Sequence, residues 1–356
     1  MHVLKQFDDS KGILIITHKE YLFFCKLLKN IKIKYNIIVH YGFNVPIKNN
    51  PNISFNLLPN SRCYNNICLP FTSRNFLNKC FNNKESIDII NKKLVEILKK
   101  YNIEFNLKEN EKNFDFIYCG RAVDIKKTYE LLRYTINYIK LNPNTTACFI
   151  ILKQNKDNSY YNSIINFWNN NKINNILFID THVLNIINNY FLGFTSKELS
   201  YFYKSSKIYI HGCENEGESR SIHEALCCGC KILAKKNMKG GGLDYLNNNN
   251  SILYENSETL KKMDMILNSY SYYNYDNKLF EELNEEFTID KFLNILYNNL
   301  NYKNIYLYDD FKNRVNVDNL AFSLPGHNLS VPWYIKGTLT SDIKTQEQLN
   351  ILQKYI

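Results

Sequence analysis

Between residues 114 and 234, short uninterrupted apolar runs alternate with longer amphipathic segments, and this alternation restricts the fold more than any other feature of the chain. The runs at 114–119, 147–152, 176–179, 207–211 and 231–234 have the near-continuous apolar character of strands buried on both faces. The segments at 128–141, 160–168, 197–204 and 219–228 between them read as helices. Asn142-Pro143 stops one of these helices, and Thr195 with Glu198 three residues later forms a capping box that opens another. Repeated strand–helix units predict a parallel sheet with helices on both faces. The first hundred residues carry a shorter version of the pattern, with strands expected at 13–17, 35–41 and, more weakly, 52–57. A helix is expected at 21–30, a loop at 59–70, and a long helix at 84–101 with Ile87, Ile90, Leu94, Ile97 and Leu98 at helical spacing. Residues 101–112 read as a charged linker.

The chain's 356 residues suit two domains. The expected division is 1–108 and 109–302, both Rossmann-like, followed by an extension of unknown structure at 303–356, where no period is visible. A hydrophobic content of 45% and an aromatic content of 14% exclude a mainly disordered chain. No apolar run is long enough to predict a membrane span. The amino terminus lacks the apolar stretch of a signal peptide, so a cytoplasmic location is expected. The net charge of +10 is spread along the chain with the Lys residues, which suits a sequence saturated in Asn, Lys, Ile, Tyr and Phe. There is no concentrated basic helix and no nucleic-acid-binding motif, so a nucleic-acid partner is not expected. The ten Cys are expected to be free thiols. Cys227, Cys228 and Cys230 lack the second ligand doublet that zinc sites usually have, so no metal site is expected.

In an open parallel sheet, ligands bind beyond the carboxyl ends of the strands. That rule selects two loops. The first, after the strand at 114–119, holds Gly120, Arg121, Lys126 and Lys127, with Gly120 expected to permit a tight turn. The second, after the strand at 207–211, holds Glu216, Gly217, Glu218, Ser219 and Arg220, and leads into a helix carrying Glu224. Backbone N–H groups at that helix start suit an anion. Glu216 and Glu224 are far enough apart to reach two parts of an extended ligand, and a carboxylate suits a sugar diol. Arg121 and Lys126 suit a diphosphate lying between, and Lys127 is an alternative to Lys126. Together these groups describe a nucleotide-diphosphate sugar.

Glu216-Gly217 followed by Glu224-Ala225-Leu226-Cys227-Cys228-Gly229-Cys230-Lys231-Ile232 resembles the Glu-Gly…Glu-Ala-(Met/Leu)-x-x-Gly-x-Pro-Val signature of family 4 glycosyltransferases. Gly120-Arg121 with Lys126 resembles that family's Gly-Arg…Lys motif, and Gly240-Gly241-Gly242 with Ser251–Tyr254 resembles the segment after the signature. The resemblance covers roughly residues 114–300. It implies an α/β fold of two Rossmann-like domains facing a cleft (the B-type glycosyltransferase fold), with the first domain short. The activity it implies is retaining sugar transfer from a nucleotide-diphosphate sugar, as in glycan or glycoconjugate synthesis.

In this scheme Glu216, Arg121 and Lys126 are the catalytic set, with Glu216 meeting the donor sugar. Gly120, Lys127, Gly217, Glu218, Ser219, Arg220 and Glu224 bind the donor, and Glu224 meets the ribose. No cofactor or metal is expected, because fixed charges stabilise the leaving diphosphate. The acceptor stays open among carbohydrate, lipid-linked and protein hydroxyls, as does peripheral membrane contact. A second reading is a catalytically degenerate relative that binds a nucleotide-sugar or a partner without turnover. Lys231 stands where the family has Pro, and His211 and His223 read as packing or helix-surface residues.

Overall fold

The structure, a computed structural model, describes residues 2–5, 11–17, 28–40, 50–58, 68–70, 80–153, 159–183, 194–241, 243–270 and the single positions 294, 298 and 300. The extension expected at 303–356 lies outside the described residues. The chain divides into two compact units, with the first break after Phe76; the second unit is Leu77–Asn284.

The first unit holds a five-stranded sheet in the order β1-β2-β3-β4-β5: β1 His2–Lys5, β2 Gly12–Thr17, β3 Tyr35–His40, β4 Phe55–Leu58 and β5 Cys68–Pro70. Strands β2 to β5 are parallel and β1 is antiparallel to β2. Helix α1, Leu28–Lys34, precedes β3. Tyr35, Ile37, Ile38 and Val39 are buried, as the apolar run predicts. Two expectations change here. β1 is a strand that the sequence pattern does not mark, and Cys68–Pro70 pairs with β4 inside a stretch expected to be loop.

The second unit is built on a six-stranded, all-parallel sheet in the order β13-β11-β9-β6-β7-β8. Its strands are β6 Phe114–Arg121, β7 Ala147–Leu152, β8 Ile176–Asp180, β9 Ser206–His211, β11 Lys231–Lys235 and β13 Ser251–Tyr254. The helices are α2 Ile87–Lys100, α3 Thr128–Leu141, α4 Ser159–Asn170, α5 Ser196–Lys204, α6 Arg220–Cys227 and α7 Thr259–Asn268. Two cores, one on each face of the sheet, confirm the doubly covered arrangement: Ile117, Cys119 and Tyr209 pack on one side, Phe116, Tyr118 and Ile210 on the other. The capping box at Thr195 forms in full, with Thr195 Oγ1 accepting from Glu198 N at 3.2 Å and the Glu198 carboxylate accepting from Thr195 N at 2.9 Å.

The break after Phe76 lies earlier than the boundary expected after residue 108. The reason is the apolar stripe of α2: Ile90, Leu94, Ile97 and Leu98 are buried in one core with Phe114, Ile117 and Phe202. Tyr101, Ile103, Phe105 and Leu107 pack against that same core, so the stretch expected as a linker is part of the second unit's wall. No described helix is long and apolar enough to cross a membrane.

Candidate functional site

From β6 the chain steps outward through β7 to β8, then returns to the other side of β6 as β9 and continues through β11 to β13. The order therefore reverses between β6 and β9, and ligand crevices of open α/β sheets lie at such a reversal, outside the carboxyl ends. The register Phe116↔Ile208 and Ile117↔Tyr209 sets the two strand ends side by side. The loops beyond them touch. A β-carbon added at Gly212, the residue after β9, would lie 3.0 Å from Lys127 Cβ and 3.0 Å from Leu131 Cδ1. The two loops singled out by sequence are thus neighbours at the switch point of one sheet.

The first loop differs in detail from its expectation. Gly120 does not make a turn; it is still in β6, paired with Ile151. Its lack of a side chain makes room for Tyr118, whose hydroxyl would lie 2.6 Å from a β-carbon there. That hydroxyl shares a 2.7 Å hydrogen bond with Thr128 Oγ1, at the start of α3. Arg121 is the last residue of β6 and is half-buried. A 3₁₀ turn over Asp124–Lys126 follows, with Lys126 half-buried. Lys127 then adopts left-handed backbone (φ 53°, ψ 34°) as the N-cap of α3. Its Nζ donates to both Asp124 oxygens, at 3.0 and 3.1 Å, and this hydrogen bond raises the Lys127 pKa above its ordinary value. Lys127, the alternative to Lys126, thus lies beside Gly212 at the start of the second loop.

The second loop contains a strand that residue preferences do not suggest. Asn215–Glu218 is β10, and it pairs in parallel with β12, Lys239–Gly241. Glu216, Gly217 and Glu218 lie in β10; their side chains are outside the described set. Ser219 is the N-cap of α6 and is buried, but its hydroxyl makes no capping bond and faces Ser221 Oγ at 3.3 Å instead. Arg220 Nε pairs with Glu224 Oε1 at 3.0 Å, four residues on. Glu224 is 8% exposed, on the second turn of α6. Burial and the nearby Glu224 carboxylate push the Cys119 thiol well above its usual range. Arg220, expected as a donor ligand, is thus placed in an ion pair with Glu224, the other donor ligand expected on this helix.

The rest of the signature is structural. Gly229 takes φ +81° just past α6, where Cys230 N donates to Ala225 O at 2.9 Å and Gly229 N to Leu226 O at 3.0 Å. That left-handed helix stop is a glycine position. Lys231 begins β11 and donates from Nζ to Ser269 O at 2.9 Å, tying β11 to the end of α7. His223 is fully buried edge-on to Tyr245, ring centroids 4.6 Å apart, and His211 is buried beside Tyr209. Cys227, Cys228 and Cys230 are buried free thiols, and burial pushes the Cys230 thiol up to about 11. Among the described residues, no group of three His, Cys, Asp or Glu is placed to hold a metal ion.

Residues 99–275 match the model of a family described as glycosyl transferases group 1. No curated protein sequence matches the chain. Among solved structures, the chain is similar to Anabaena Alr3699/HepE in complex with UDP, at 10% identity, covering 80% of this chain and 78% of that one with a TM-score of 0.55. It is similar to the N-terminal domain of Candida albicans trehalose-6-phosphate phosphatase, at 11% identity, 82% and 71% coverage and a TM-score of 0.55. A mutant of S. aureus TarM in complex with Fondaparinux, alpha-GlcNAc-glycerol and UDP is similar at 13% identity, 81% and 56% coverage and a TM-score of 0.52. The chain thus spans 56% of the length of TarM. At these identities the likeness is one of fold, and the fold is that of B-type glycosyltransferases.

Proposed function

We propose that the chain is a retaining glycosyltransferase of the family 4 kind, which moves a sugar from a nucleotide-diphosphate sugar to an acceptor hydroxyl on the cytoplasmic side. The observation that carries this reading is the contact between the Arg121–Lys127 loop and the Gly212–Ser219 loop at the switch point between β6 and β9. A diphosphate in that crevice would meet Arg121 and Lys127 from one side, with Lys126 beside them, and the N-terminal amides of α6 from the other. Gly217 allows close backbone approach, Gly120 gives room to Tyr118 at the end of β6, and Ser219 adds a hydroxyl at the helix start. Glu224, held by Arg220, accepts from the ribose hydroxyls. Glu216, with Glu218 in the same strand, serves the transferred sugar.

In the reaction the anomeric C–O bond to the diphosphate breaks. The acceptor oxygen forms its new bond to the anomeric carbon from the face the diphosphate leaves. The acceptor's proton passes to a leaving-phosphate oxygen. The cations and helix amides stabilise the charge that develops on the diphosphate, the term that dominates many enzymes' rate enhancement. They supply the charge that a divalent ion supplies elsewhere, so transfer is expected to persist in EDTA.

Uridine diphosphate is the first nucleotide to test, since two of the similar folds are complexes with it. Calorimetry should show UDP binding to the intact chain. Arg121→Ala should weaken it by about 1.5–3 kcal/mol, the worth of a charged hydrogen bond. Unchanged affinity in a folded variant removes Arg121 from the site. NMR of the first-formed product should show a retained anomer, and an inverted one refutes the retaining mechanism.

A further inference from the structure

β10 and β12 form a two-stranded ribbon outside the six-stranded sheet. Such a ribbon is weak by itself. β12 is Lys-Gly-Gly, so two of its three positions offer no side chain for cross-strand packing. The register between the strands also shifts between Asn215 and Glu218. The segment bearing Glu216 and Gly217 therefore needs an anchor outside the ribbon.

An ion pair stands at the roots of both strands, beside a hydrogen bond from Cys213 Sγ to Asn215 O at 3.1 Å. Glu214 immediately precedes β10, and its carbonyl accepts from Lys239 N, the first residue of β12, at 2.7 Å. Its carboxylate accepts from Lys235 Nζ at 3.1 Å. Lys235 ends β11, a strand flanked on both sides by other strands of the main sheet. Its side chain is 8% exposed. The ammonium also donates to Asn256 Oδ1 and lies 5.8 Å from the centroid of the Tyr254 ring. The Lys235 carbonyl accepts from Met238 N at 3.2 Å, closing the turn that leads to β12. The ammonium is enclosed while the Glu214 side chain is 37% exposed, and a buried charge needs its partner.

We infer that Lys235 and Glu214 are positioning residues whose ion pair clamps the ribbon to the main sheet and so fixes β10, the strand that carries Glu216. The clamp stands on geometry; its consequence for turnover rests on the reading of Glu216 as the group that meets the transferred sugar.

The test uses the full chain with Lys235→Met, Lys235→Arg and Glu214→Gln, each checked for a cooperative melt. Hydrogen exchange read by mass spectrometry over 212–219 should be about tenfold faster or more in Lys235→Met and Glu214→Gln. It should return toward the original rate in Lys235→Arg, while peptides from β6 and β7 stay unchanged. UDP affinity by calorimetry should stay within about twofold. Turnover of UDP-glucose and UDP-N-acetylglucosamine should fall about tenfold or more in Lys235→Met and recover in Lys235→Arg. Unchanged exchange over 212–219 in folded Glu214→Gln overturns the clamp. Faster exchange with unchanged turnover overturns the positioning role. A protein that turns over neither donor counts against the proposed activity, and the exchange rates still decide the clamp.

Discussion

Gly212→Ala tests the switch-point geometry most directly. The new methyl carbon would lie 3.0 Å from Lys127 Cβ, 3.0 Å from Leu131 Cδ1 and 3.1 Å from Leu131 Cγ. Ordinary contact begins near 3.4 Å, so the neighbours must retreat by about 0.4 Å (3.4 − 3.0). Lys127 Cβ is fixed by its backbone and cannot rotate away. Leu131 is 3% exposed and packed in the core under the sheet. Its escape is an off-rotamer side chain, at about 0.5–1.5 kcal/mol. Overpacking of a tight core usually costs about 1–3 kcal/mol, so about 2 kcal/mol is expected here.

The loops also move apart, which should weaken UDP binding by about three- to tenfold, or roughly 0.6–1.4 kcal/mol. Urea unfolding followed by tryptophan fluorescence measures the first effect, because Trp168 stacks on Phe178 within this unit at a centroid distance of 4.8 Å. Calorimetry measures the second. Leu131→Ala in the Gly212→Ala background should cost at least about 1 kcal/mol less than alone, because it relieves the clash. Stability within about 0.5 kcal/mol of the parent would mean that the loops do not meet as described. A destabilised protein with unchanged UDP affinity would mean that the nucleotide lies elsewhere.

Glu224→Gln should weaken donor and free UDP alike, whereas Glu216→Gln should lower turnover and leave UDP affinity within about twofold; calorimetry with initial rates separates the two, and equal loss of UDP binding in both refutes the division of roles. Glu85→Ala leaves the Lys204 ammonium, 2% exposed, without its carboxylate, and should cost about 3–5 kcal/mol in urea unfolding. Burial opposes ionisation of Glu85, but the hydrogen bond and charge of Lys204 outweigh it and hold the carboxyl below its ordinary 4.5. A depressed carboxylate pKa gives stability that is present above about 4.5 and lost as pH falls through the folded value. Urea midpoints between pH 6 and 3 should therefore fall more steeply in the parent than in Glu85→Gln, and parallel curves refute the linkage.

The strands of the second unit were legible because strands buried on both faces leave long apolar runs, and the runs at 114–119, 147–152 and 176–179 end within a residue or two of β6, β7 and β8. The capping box at Thr195 was legible because its whole signal lies within four residues. β1 and β5 were not, since four and three residues are too few for a period to emerge. Neither was the pair Lys235–Glu214, whose members stand 21 residues apart and meet only when β9 and β11 lie side by side. Nor was the left-handed backbone of Lys127, or its proximity to Gly212, legible in the sequence, since both follow from how the loop after β6 packs against the residue after β9.

In the second unit, the departures from local preference fall in one place. Among the described residues, the non-glycine positions with positive φ are Asn102, Asn110 and Lys127. Asparagine tolerates that region, but lysine seldom adopts it. β10 is built from Asn-Glu-Gly-Glu and β12 from Lys-Gly-Gly, both poor strand formers. Lys235 is a charge enclosed at a strand end. Lys127, β10, β12 and Lys235 all lie beyond or at the carboxyl ends of β6, β9 and β11, around the point where strand order reverses. Local preference has been overridden there by contacts made elsewhere in the unit, the pattern expected where a fold maintains a site instead of its own stability. Relieving those conflicts is therefore a test with a predicted sign. Lys127→Gly removes the backbone penalty at φ 53° and should be neutral or slightly stabilising, despite the lost bond to Asp124 and the added chain entropy. It should nevertheless weaken UDP binding by about 1.5–3 kcal/mol. Unfolding and calorimetry on the same sample decide it: a variant that loses stability while binding UDP as tightly as the parent would show that Lys127 serves the fold and not the ligand.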